Sequence, residues 1–83
     1  MKSSVVRVIS VFEKRTEKLA YEQRVAVEDI AALYVKCGAP KEDPELFDSY
    51  PIKKEDALFF AALLPRSFTF DFECFDYFLE SSS

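Results

Sequence analysis

The chain has 83 residues, a formal net charge of −4, an apolar share of 49% with nine Phe, a single Gly and no His. A chain of this length makes one domain (1–83) with one core, because it buries only roughly 60–65% of its unfolded surface. Lack of His excludes histidine triads and most metal sites, one Gly excludes a glycine-rich phosphate loop, and no apolar run approaches the roughly 20 residues that span a bilayer.

Val5–Phe12 is β-branched and bounded by polar residues, so it reads as a strand. Its apolar residues occupy both parities, which suits a strand in the middle of a sheet or one covered on both faces. The short apolar stretch near the start lacks a small-residue cleavage pattern, so a strand and a cytoplasmic location are expected rather than a secretory leader. Glu13–Lys18 is a charged connection without Gly or Asn, which predicts a loop longer than a two-residue primed turn. Lys18–Val25 then alternates, with Leu19, Tyr21 and Val25 on one face and Ala20, Glu22 and Arg24 on the other, so the two strands should pair antiparallel.

From Val27 the period changes. Ile30, Leu33, Tyr34 and Cys37 form one stripe of an amphipathic helix, with Glu28 and Asp29 in its first turn and Lys36 in its last. Gly38 is placed for the left-handed residue that ends the helix, and Pro40 blocks continuation. Leu46–Tyr50 is a short strand stopped by Pro51. A second helix is expected over 53–64, apolar nearly all round and therefore buried or packed against a partner, ending at Pro65.

The closing segment Phe68–Glu80 holds five Phe and one Tyr among four acids and no base. Phe68, Phe70 and Phe72 share one parity, whereas Phe75, Tyr77 and Leu79 share the other. A strand cannot change faces without a bulge or turn, so the break belongs at Glu73-Cys74, with a last strand over 75–80. The order β-β-α-β-α-β gives an α+β fold, a small antiparallel sheet with helices mainly on one face.

Cys37 and Cys74 are expected to stay reduced and to serve packing. No nucleophile–base pair can be named, so the chain is read as a non-enzyme without cofactor or metal. Residues 1–37 carry seven basic and five acidic groups, and residues 38–83 four and ten. The anionic second half repels nucleic acid and attracts a cationic protein. Most Phe must be core, because exposing one forfeits about 1.5–3 kcal/mol of burial. Recognition is therefore assigned to the acids, among them Asp71, Glu73 and Asp76, together with Tyr50 and Tyr77.

Several landmarks, in order, resemble the cloacin/colicin ribonuclease immunity proteins. Val11-Phe12-Glu13-Lys14-Arg15-Thr16-Glu17 is similar to their W-F-D-K-S-T-E opening, and Cys37-Gly38-Ala39-Pro40 to their L-G-V-P turn. Phe47-Asp48 is similar to their F-D, Ala61–Pro65 lies where they carry W-V-P-L-L-Q-P, and Asp76-Tyr77-Phe78-Leu79 matches their closing E-Y-F-V. The resemblance covers about Val5 to Glu80. It implies a protein that neutralises a cognate basic toxin domain, a nuclease, by docking an acidic face, as small immunity proteins of contact-dependent and polymorphic toxin systems also do. It carries Phe47, Asp48, Asp76 and Tyr77 over as partner contacts. Leu46 stands where that family has Cys, beside the position used for partner discrimination, so the identity of the toxin stays open. No membrane partner is expected. The free protein is expected to be a monomer. The alternative is a small structural or regulatory interaction subunit, homodimeric through helix 53–64 or the last strand.

Overall fold

A computed structural model of the chain describes residues 6–25, 30–43, 46 and 48–82. Strands β1 (Val6–Glu13), β2 (Leu19–Arg24), β3 (Tyr50–Pro51) and β4 (Phe75–Ser82) form one antiparallel sheet in the order β2-β1-β4-β3. Helix α1 (Ile30–Cys37) lies between β2 and β3. A 3₁₀ turn (Lys54–Asp56) running into α2 (Ala57–Ala61) lies between β3 and β4. This is the expected α+β fold.

β1 sits centrally, as its two-parity apolar pattern indicates, and pairs with β4 from Val6↔Ser82 to Glu13↔Phe75 without a register break. The β1–β2 connection is a five-residue loop, 14–18. The Glu13 N–H donates to the Lys18 carbonyl at 2.9 Å and the Glu17 N–H to the Glu13 carbonyl at 2.7 Å. Lacking Gly, the loop places Glu17 itself in the left-handed region at φ 59°. Along β2 the expected alternation slips: Tyr21 pairs with Val11 but Leu19 with Phe12, leaving Ala20 as an extra residue. A bulge of this kind bends an edge strand, and it separates Leu19 from the face of Tyr21.

Opposite parities of the central strands have different fates. Ile9, Val11, Tyr77 and Leu79 are buried in one hydrophobic cluster with Leu33 of α1, Phe60 of α2, Val25, Leu46, Tyr50 and Ile52. Both helices therefore cover the same face. The predicted stripe of α1 is the observed one: Leu33 is buried, and Ile30, Tyr34 and Cys37 pack against the cluster. Gly38 takes φ 64°. The Gly38 N–H reaches the Val35 carbonyl at 3.2 Å and the Ala39 N–H the Tyr34 carbonyl at 3.3 Å, the paired bonds of a Schellman stop. Val27, Glu28 and Asp29 lie outside the described residues.

Two expectations are corrected. The second helix is not a continuous span over 53–64, since regular α structure covers only Ala57–Ala61 and turns begin at residue 62. Nor is it buried all round: Phe60 is its core anchor, whereas Leu58 is 88% exposed. The third strand is not Leu46–Tyr50, because Leu46 adopts φ 59°, incompatible with a ladder, and pairing begins at Tyr50. Ahead of Tyr50, the buried Asp43 carboxylate accepts the Asp48 N–H at 3.0 Å and the Tyr50 hydroxyl. Leu46 is fully buried there, and its side chain fills the core as its backbone turns.

The break predicted at Glu73-Cys74 falls within the turn 72–74, which Asp71 builds. Its Oδ1 accepts the Glu73 N–H at 3.2 Å and the Cys74 N–H at 3.4 Å. Before it, Phe68, Phe70 and Phe72 are half-buried, each with its ring against Tyr77 at 6.0, 4.7 and 5.0 Å.

A candidate partner-binding face

The second face of the sheet is assembled from Val8, Ser10 and Phe12 of β1 and Asp76, Phe78 and Glu80 of β4, the parity opposite to the core. Register sets Arg24, Val8 and Glu80 in one cross-strand row, then Glu22, Ser10 and Phe78, then Leu19, Phe12 and Asp76. Among the described residues, none of these apolar side chains belongs to the core cluster. Phe12 and Phe78 meet edge to face, ring centroids 5.7 Å apart at 84°.

Polar groups on this face are fixed rather than loose. Ser10, fully buried between two acids, donates its hydroxyl to Glu80 Oε1 and lies 3.3 Å from Glu22 Oε2. A hydroxyl has one proton to give, so the two carboxylates compete for it. Glu80 Oε2 accepts a second hydroxyl, that of Ser49, at 2.9 Å. Each Glu80 oxygen thus holds one donor, which orients the carboxylate and leaves lone pairs for others. At the hairpin end, Glu13 Oε1 accepts the Thr16 hydroxyl at 2.8 Å, and Lys14 Nζ stands 3.6 Å from Asp76 Oδ1 with both side chains about half exposed. An ion pair this open contributes at most about 1 kcal/mol and exchanges readily for another partner.

These elements frame a groove of about 300 Å³ lined by Phe12, Glu13, Glu17, Ser49, Asp76, Phe78 and Glu80. Two rings and four carboxylates line it, and among the described residues no cation does. Such a surface presents an apolar floor to a side-chain stem and negative charge to its head.

The residues expected to carry recognition divide. Asp76 lines the groove. Asp48, Asp71 and Glu73 are exposed, and Asp71 is occupied in building the turn before β4. Phe47 lies outside the described residues. Leu46, Tyr50 and Tyr77 are core: Tyr77 is 2% exposed, Tyr50 is tied to Asp43, and Leu46 fills the loop before β3. These three are corrected from contact residues to supports, because their parity or loop geometry turns them toward the helices. The Tyr77 hydroxyl accepts the Asp71 N–H at 2.7 Å. Burial raises the Tyr77 pKa, and the hydrogen bond to Asp43 raises that of Tyr50.

Sequence reasoning missed Phe12, Glu13, Glu17, Ser49, Phe78 and Glu80 as a group. A signal was available in Asp76-x-Phe78-x-Glu80, where one aromatic shares a strand face with two acids. Both thiols are free and reluctant to ionise. Burial, with Asp56 nearby, pushes Cys37 up to about 11, and the hydrogen bond to Asp71 raises Cys74. No helix among the described residues is long and apolar enough to cross a membrane.

No curated protein and no solved structure matches this chain. A family model does, over residues 6–80, a span that takes in the whole β1–β4 ladder except its last pairs and every residue lining the groove. The chain belongs to the family described as Domain of unknown function (DUF7683).

Proposed function

We propose that this protein is a non-enzymatic immunity protein, which binds and neutralises a cognate basic nuclease toxin through the acidic, aromatic-containing face of its sheet. One observation carries the reading. Two of the segments that resemble ribonuclease immunity proteins, Val11–Glu17 and Asp76–Leu79, are some sixty residues apart in sequence, yet β1–β4 pairing sets Phe12 opposite Asp76. Together they supply five of the seven residues lining the groove. An anionic face speeds encounter with a cationic toxin, and ring surface supplies contact area once the complex forms. The protein does this work in the cytoplasm of the cell that makes the toxin.

Isothermal titration against the nuclease domain encoded immediately upstream tests the proposal. Saturable binding, with an association rate in stopped-flow mixing that falls steeply with salt, supports it, and no binding at micromolar concentration refutes it.

A second reading, a homodimeric structural or regulatory subunit, is favoured by the apolar side chains left on the outside of the helical layer. Leu58 of α2 is 88% exposed and Val35 of α1 76%. Sedimentation of the free protein separates the two: a stable dimer favours the subunit reading, a monomer the immunity reading.

A further inference from the structure

The groove has a chemistry more specific than negative charge. We infer that it receives a single arginine side chain projecting from the basic partner, with the guanidinium among the carboxylates and its stem along the Phe12–Phe78 pair. The inference rests on reading this face as the docking face for a basic protein, and it names which side chain enters and where.

Three features select the occupant. Four carboxylates line the groove without a cation among the lining residues, so an incoming positive charge is the complementary one. They differ in freedom: Glu80 is oriented by the Ser10 and Ser49 hydroxyls and Glu13 by Thr16, whereas Asp76 meets the exposed Lys14 and Glu17 sits on the hairpin loop. Fixed acceptors beside adjustable ones suit a donor with several N–H groups pointing in different directions. Guanidinium has five in a planar fork, and a lysine ammonium is a more strongly hydrated point charge. The half-buried rings of Phe12 and Phe78 add the third feature, since they give the apolar stem a surface beside the carboxylates, where a guanidinium sheds water more readily than an ammonium. At about 300 Å³ the groove has room for one long side chain and not for a packed helix. An anionic ligand or a nucleic-acid backbone meets repulsion here.

The test uses the intact protein and three capped tripeptides, Gly-X-Gly, in which X is arginine, lysine or citrulline, the uncharged isostere of arginine. Amide chemical shifts of ¹⁵N-labelled protein are followed during titration. The expected result is saturable movement, at roughly millimolar peptide, confined to Phe12–Glu17, Ser49 and Asp76–Glu80. The lysine peptide should bind at least about threefold more weakly, and citrulline should not bind. Asp76→Asn and Glu17→Gln, both at exposed positions, should each weaken the arginine peptide by about two- to fivefold while leaving the remaining shifts in place.

No saturable movement at the groove, shifts centred elsewhere, equal affinity for arginine and lysine, or binding of citrulline would each overturn the inference. Failure here is separable from failure of the immunity reading. Toxin binding without peptide binding removes the arginine subsite alone, and peptide binding without toxin binding removes the immunity role alone.

Discussion

Replacing Tyr77 by Phe distinguishes a core support from a contact residue. The ring contacts with Phe68, Phe70, Phe72 and Phe75, at centroid distances of 4.7–6.4 Å, survive the change. What disappears is the acceptor for the Asp71 N–H, a bond of 2.7 Å. A net hydrogen bond of this kind contributes about 1 kcal/mol. For a domain of this size that lowers Tm by about 4–8 °C. Because Asp71 also organises the turn leading into β4, the loss should fall at the start of that strand. Truncation to Ala removes the ring as well and should cost about 3–5 kcal/mol, a large share of the 5–15 kcal/mol that typically holds a domain. Far-ultraviolet circular dichroism during heating and in urea reads both changes, and titration with the partner reads binding. If Tyr77→Phe left Tm and the urea midpoint unchanged yet weakened the partner complex tenfold, the hydroxyl would face the partner and the assignment of the two sheet faces would be wrong.

Glu17→Gly should raise stability by about 0.5–1 kcal/mol, read as a higher urea midpoint, because Gly occupies φ 59° without the Cβ clash that Glu suffers. A lower midpoint would mean that the Glu17 side chain stabilises the hairpin more than its backbone strains it. The alkaline limb of stability should depend on Tyr50. Its proton is held more tightly in the folded chain, chiefly by the Asp43 hydrogen bond, than in the unfolded chain, where tyrosine titrates near about 10. The folded pKa is therefore the raised one. Its contribution is fully present below about pH 10 and is lost as pH rises toward the folded value. Tyr50→Phe should flatten the decline in urea midpoint above about pH 10, and an unchanged slope there would contradict this.

Much of the architecture was legible because it follows from local chemistry. The β-branched run of β1, the Ile30–Leu33–Tyr34–Cys37 stripe, the single Gly at the end of α1 and the parity change after Phe72 each have one good structural solution. What escaped has a common cause. Parity sorts a strand's residues into two sets but does not say which set the helices will cover, so Tyr77 and Phe78 could exchange roles without changing the pattern. The third strand starts later than its sequence suggests because nothing in Leu46-Phe47-Asp48 announces that the Asp43 carboxylate, several residues earlier, holds the Asp48 N–H and the Tyr50 hydroxyl, or that Leu46 takes a left-handed φ. The second helix was overextended because a run of Ala, Leu and Phe fits a long helix as well as a short one followed by turns. Tertiary packing of Phe60, not propensity, sets where it acts.

The central ladder of the sheet joins Val6 to Ser82 and Glu13 to Phe75, strands separated by most of the chain. A hairpin such as β1–β2 can close within microseconds, but this pairing requires a loop of about sixty residues to close before any of its contacts form. The ladder therefore cannot begin on the ribosome until Phe75 has emerged, and the groove, whose two halves lie on the joined strands, cannot form before it. A chain truncated before β4 would lack Asp76, Phe78 and Glu80, and with them one side of the groove.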